Sequence, residues 1–171
     1  EAVRQGWLEH HPPPWTEKDM QEYNRLFTEQ MEAYLHNGHG SCILRRKGIA
    51  QIVESALRHF DGERYDLGDF VVMPNHVHAV LRPYDGYDVE MIVGNCKGFS
   101  SRKINKVIGE KGARWSDESY DHIVRHENEM ARVAEYIREN PAKAGLRAES
   151  VCSGGNTPDW VCISPRQWRS L

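Results

Sequence analysis

Two apolar runs, YDLGDFVVM at 65–73 and HVHAVLRP at 76–83, are separated only by Pro74-Asn75. A link that short joins antiparallel strands, because a parallel return needs a crossover of a dozen or more residues. The chain therefore contains a hairpin near its middle. Side chains alternate between the two faces of a strand, so His76 and His78 point one way and Val77 and Ala79 the other. Two imidazoles on one face can hold a metal ion. They can equally be hydrogen-bonded, half-buried sheet residues, and the pair alone does not choose.

Helical patterns surround the hairpin. After the leader HHPPPW, Thr16 and Asp19 form a capping pair. Met20, Tyr23, Leu26, Phe27, Met31, Tyr34 and Leu35 then recur at helical spacing until Asn37-Gly38 stops the run. A second helix is predicted over about 49–60, and a third over about 89–108 with a break or bend near Gly94 or Gly98. One or two short strands fall within 114–125. A last helix over ENEMARVAEYIREN should end by Asn140, since Pro141 disfavours helical geometry in the residue before it. No strand–helix–strand alternation and no Gly-rich phosphate loop appears. The order predicts an α+β fold, an antiparallel sheet with helices packed on it. Residues 148–171 read as an irregular tail packed on the domain, and a candidate cover for the site.

Composition narrows the class. The 171 residues fit one domain with a real core, and no apolar stretch approaches the ~18 residues of a membrane span. The first ten residues carry charges and no apolar core, unlike a secretory signal. They also lack an initiator Met, so the true N-terminus is expected to lie upstream. Cys42, Cys96, Cys152 and Cys162 form no C-x-x-C pair, which points to reduced thiols and a cytoplasmic setting. The net charge of −3 excludes a uniformly basic nucleic-acid binder. Yet between Lys97 and Arg114 six basic residues stand against one acid. Lys97, Ser100, Ser101, Arg102, Lys103 and Lys106 mix cations with short polar donors, a pattern suited to phosphate contacts. Arg45, Arg46 and Lys47 form a smaller patch. A solvated helix face is the plain alternative for both.

The last helix carries the chemistry. Tyr136 and Asn140 are four apart and share a face. A tyrosine can act as a nucleophile, and an asparagine amide oxygen can ligate a metal. Two histidines plus one amide oxygen leave open positions. Such a mixed set suits Mg²⁺ or Mn²⁺ on a phosphate better than a closed structural zinc. Tyr120 is a rival nucleophile without a partner amide at helical spacing. Asp121 and His122 could supplement a metal site or be surface strand residues.

MPNHVHAVLRP, followed roughly sixty residues later by YIRENPAKAGL, resembles the single-tyrosine HUH transposases, in particular their REP-associated tyrosine transposase branch. The His-hydrophobic-His motif falls on His76, Val77 and His78, and the Tyr-x-x-x-Asn/Gln motif on Tyr136 and Asn140. SYDHIVR and ENPAKAGL also resemble that branch, and the likeness covers roughly residues 5–147. It implies a ferredoxin-like (RRM-like) HUH domain over 1–147 whose first strand lies outside this sequence. It implies a DNA strand-transferase with Tyr136 as nucleophile and a divalent ion, Mg²⁺ or Mn²⁺, on His76, His78 and Asn140. The substrate would be single-stranded or hairpin DNA of palindromic repeats, nicked and rejoined through a 5′-phosphotyrosine. Such a protein would be nucleoid-associated, off the membrane, and a monomer or homodimer. Two other readings stand beside it: a domesticated relative that binds DNA hairpins without cleaving them, and a metal-dependent phosphoesterase in which Tyr136 is structural.

Overall fold

The computed structural model describes residues 2–12, 14–23, 26, 35, 40–116, 119, 122–124, 127–155 and 168–170. The chain divides into two compact units, Glu1–Gly40 and Ser41–Leu171.

In the first unit, α1 (Ala2–His10) forms in the charged opening stretch. After the proline leader comes α2 (Glu17–Tyr23). The Thr16–Asp19 pair forms a reciprocal cap: Thr16 N and Oγ1 both donate to Asp19 Oδ2, and Asp19 N donates to Thr16 Oγ1. These bonds hold the Asp19 carboxyl below its ordinary value. Trp7 stacks on His11 with centroids 4.1 Å apart, and Trp15 lies edge-on to Trp7 at 5.3 Å. Most of the long helix predicted through Leu35 lies outside the described residues.

The second unit contains α3 (Lys47–Arg58), β1 (Tyr65–Val72), β2 (Val77–Pro83), α4 (Val89–Ile108), β3 (His122–Val124), α5 (Glu127–Lys143), β4 (Cys152–Gly154) and β5 (Trp168–Ser170). The sheet order is β3-β5-β2-β1-β4, and every pairing is antiparallel. The α+β expectation holds. The 148–171 stretch is not wholly irregular, for β4 and β5 both come from it. Three-residue strands are too short to show a period of two, which is why their pattern was invisible.

The hairpin turns where Pro74-Asn75 predicted, and Met73 N donates to His76 O at 2.9 Å. Leu67 pairs with Leu81, but Phe70 pairs with Ala79, so β1 carries one extra residue at Gly68–Asp69. This bulge switches the facing of the strand. Before it, Tyr65 and Leu67 enter one core; after it, Phe70 and Val72 do. That first core holds Val77, Ala79 and Leu81 of β2 with Ile49, Val53, Leu57 of α3 and Ile92, Ile104 of α4. The opposite face carries Val71, Met73 and Val80 against Met130 and Ile137 of α5. Helices α3 and α4 thus cover one face and α5 the other. His78, next to Val80's side of β2, belongs to the α5 face.

Two helix expectations are corrected. Helix α4 runs unbroken through Gly94 and Gly98. A helical glycine costs about 1 kcal/mol, which weakens a helix without breaking it. Here Asp88 caps the start by accepting from Met91 N at 2.6 Å, and Gly109, at φ 74°, ends it. Helix α5 continues past Asn140 to Lys143 with Pro141 inside. Proline there forfeits one intrahelical bond, the one to Ile137 O, and its ring is buried. Ala144 N still donates to Asn140 O, and Leu146 N to Pro141 O, closing the end. Among the described residues no helix is long and apolar enough to cross a membrane.

Candidate active site

The hairpin turn positions the histidines. Leu44 N donates to Pro74 O at 3.1 Å, tying the 3-10 turn Ile43–Arg45 to the hairpin tip. His76 follows that tip and is 9% exposed. Its Nδ1 lies 2.8 Å from Asn75 Oδ1. With that oxygen accepting, Nδ1 carries the proton and Nε2 presents a lone pair. Nε2 of His76 faces Nε2 of His78 at 3.1 Å, with the rings perpendicular and centroids 4.8 Å apart. Two ligands at right angles, about 2.1 Å from a shared ion, sit about 3.0 Å apart. The spacing of the two nitrogens therefore suits adjacent corners of an octahedron.

Helix α5 brings the tyrosine to the same place. The Tyr136 ring stands edge-on to His78, centroids 5.6 Å apart. It packs beside Val133 on the second core, and its hydroxyl oxygen is shielded from solvent. One turn on, Asn140 is fully buried. Among the described residues no three His, Cys, Asp or Glu side chains cluster as metal ligands. A cation at the histidine pair would draw its other donors from outside these side-chain types, and the Asn140 amide is the sequence-predicted candidate, one turn beyond Tyr136 on α5.

Two neighbours were missed in the sequence. Asn75 orients His76, and its signal was adjacency in the turn. Lys143 lies with Nζ 4.8 Å from the Tyr136 ring centroid and pairs with Glu139 at 3.1 Å. Seven residues make nearly two full turns, so Lys143 falls on the Tyr136 face. Its charge sits beside the phenol and half in solvent.

The basic candidates divide. Arg45, Arg46 and Lys47 are exposed at the start of α3, close to the hairpin tip. Arg102, Lys103 and Lys106 are exposed along α4, and Ser101 is half-exposed. Lys97 donates to Ser116 O at 2.8 Å. Ser100 does not join this surface: it is 1% exposed, donates to Cys96 O and accepts from Trp115 Nε1 at 2.9 Å. A short hydroxyl on the inner face of a helix serves packing, not phosphate. Tyr120 and Asp121 lie outside the described residues. His122 opens β3, and only its backbone is described.

A family model described as "Transposase IS200 like" matches residues 43–140, more than half of the chain and all of the span from the first basic patch to Asn140. No curated protein and no solved structure matches it.

Proposed function

The chain belongs to the IS200-like transposase family, with DNA as its partner, and from that premise we propose that it is a strand-transferase of the REP-associated HUH kind with Tyr136 as nucleophile. The observation that carries this reading is the meeting, on one sheet face, of the 3.1 Å histidine pair and the Tyr136 ring. The Tyr136 oxygen attacks a phosphodiester of single-stranded DNA. The new bond is Tyr–O–P, the P–O3′ bond breaks, and the departing 3′ oxygen takes up a proton. In the reverse direction a 3′-hydroxyl attacks the phosphotyrosine and restores the strand.

His76, His78 and the Asn140 amide would hold a divalent ion, Mg²⁺ or Mn²⁺. Such an ion supplies charge to the scissile phosphate. The protein's own part is positioning. Asn75 sets the tautomer of His76, α5 packing aims Tyr136, and Lys143 adds a positive charge beside the nucleophile. The exposed Arg45, Arg46 and Lys47 near the hairpin tip can track the DNA backbone, which costs little structure and gives salt-sensitive affinity.

The test is a covalent adduct on a denaturing gel, using labelled palindromic single-stranded DNA with Mn²⁺ or Mg²⁺. The band should vanish in Tyr136→Phe and in His76→Ala while hairpin binding persists. An undiminished adduct in Tyr136→Phe would sink the assignment. A second reading, a hairpin-binding protein without cleavage, draws on the shielded Tyr136 hydroxyl. Tight hairpin binding with no adduct under either ion would favour it.

A further inference from the structure

A second site lies on the other face of the sheet. Between the end of α3 and the outer stripe of α4 is a cavity of about 330 Å³, lined in part by Phe60, Arg64, Tyr87, Met91, Phe99 and Arg102. It sits beside Tyr65, at the end of the hairpin away from His76. Several of its walls are large side chains left in solvent: Tyr87 is 37% exposed, Met91 46% and Phe99 39%. A core would have covered them, and scattered singly they would need no explanation, but here they share one concavity.

The walls are flat and cationic. The Arg64 guanidinium lies 3.4 Å from the Phe60 ring centroid and 5.7 Å from that of Tyr87. His59 and Phe99 run parallel within 5°, centroids 6.4 Å apart, so a planar ring entering the cavity meets faces already aligned. Lys103 Nζ stands 5.6 Å over Phe99, and Arg102 is exposed beside it. Aromatic faces interleaved with guanidinium and ammonium groups are the equipment for stacking an unpaired base while its phosphate meets a cation. The small size of the cavity suits one planar group. Exposed Asp85, Asp88 and Glu90 precede or open α4 and repel phosphate, so the backbone must leave past Arg102 and Lys103.

We propose that this cavity binds an unpaired nucleobase of single-stranded DNA, with the adjoining phosphate at Arg102 and Lys103. The site is separate from the Tyr136 centre, which lies across the sheet. The inference rests on DNA being the partner and not on the chemistry of Tyr136.

The experiment is fluorescence anisotropy in EDTA with the whole chain, using labelled dT12 and a fully paired hairpin duplex as probes. Phe99→Ala should weaken dT12 binding about 5- to 150-fold, the loss from one stacked base, and leave duplex binding within about twofold. Arg102→Ala should lower the salt slope by about one. Tyr87→Ala, another exposed position, should act like Phe99→Ala, which guards against a folding defect in either variant. A dT12 carrying 5-iodouracil should photocross-link to the peptide holding Tyr87 or Phe99. Unchanged dT12 affinity in both alanine variants overturns the proposal, as does cross-linking confined to other peptides. A change of oligomeric state on Phe99→Ala, with DNA binding intact, would mark the cavity as a protein contact and overturn it too. The adduct test on Tyr136 can fail without touching any of these outcomes.

Discussion

If the proposed ion site is correct, Asn75→Ala should weaken divalent-ion binding more than it harms the fold. The Asn75 Oδ1 to His76 Nδ1 contact is 2.8 Å and His76 is nearly buried, so solvent replaces it poorly. An ordinary hydrogen bond contributes about 0.5–1.5 kcal/mol net. Loss of an outer partner of a ligating histidine typically lowers metal affinity ~10–100-fold, or about 1.4–2.7 kcal/mol. The low exposure of His76 favours the upper half of that range, whereas the half-exposed Asn75 lets some water return. The expectation is a Mn²⁺ affinity lower by about 10–50-fold. Isothermal titration with Mn²⁺ measures it directly. The Mn²⁺ concentration for half-maximal adduct formation should rise by the same factor, while the rate at saturating Mn²⁺ stays near wild type. Wild-type Mn²⁺ affinity in the variant would refute the orienting role. Equal loss at saturation would show that Asn75 acts on something other than the ion.

Three further outcomes concern the fold. Gly155→Ala should destabilise the chain by more than about 2 kcal/mol in thermal melts, because Gly155 sits at φ 91° and a Cβ there would collide with Gly68 O. Tyr65→Phe should cost about 1–2 kcal/mol in urea titrations, since the buried Tyr65 hydroxyl donates to Leu57 O and the change strands that carbonyl. Burial pushes the Cys96 thiol above its ordinary value. A raised folded value means the half-buried thiol stabilises fully below the unfolded value of about 8.5 and loses that contribution as pH climbs through the folded one. The stability advantage of wild type over Cys96→Ala should therefore shrink above about pH 8.5, and Cys96 should resist iodoacetamide at pH 8 until urea unfolds the chain.

Much of the site was legible because it rests on short-range rules. A two-residue link forces a hairpin, a period of two aligns His76 with His78, and four-residue spacing aligns Tyr136 with Asn140. None of these needs tertiary information. The fold class followed from the same patterns. What escaped depends on contacts between distant segments. The serine at 100 looks like its neighbour Ser101 until Trp115 arrives to bond it. The bulge at Gly68–Asp69 is marked only by a glycine inside the run, and a strand buried on both faces offers no alternation that would fix its place. Pro141 is a helix stop in an isolated segment, yet in α5 the buried ring and the packed turn outweigh one missing bond. Lys143 was readable from helix geometry, but its i,i+4 spacing from Glu139 reads first as an ordinary surface ion pair.

The position of β5 has a kinetic consequence. Among the described residues strand β3 joins the sheet only through β5, and the Val80–Ser170 pairing closes a loop of about ninety residues. Contacts of that span form slowly, since closure entropy is lost before any contact rewards it. The hairpin and the helices on both its faces come from 47–143 and need no such closure. During synthesis, the histidine pair and Tyr136 can therefore meet while β3 still lacks a neighbour. A pulse-labelled hydrogen-exchange experiment should then find amides of β1 and β2 protected well before those of β3.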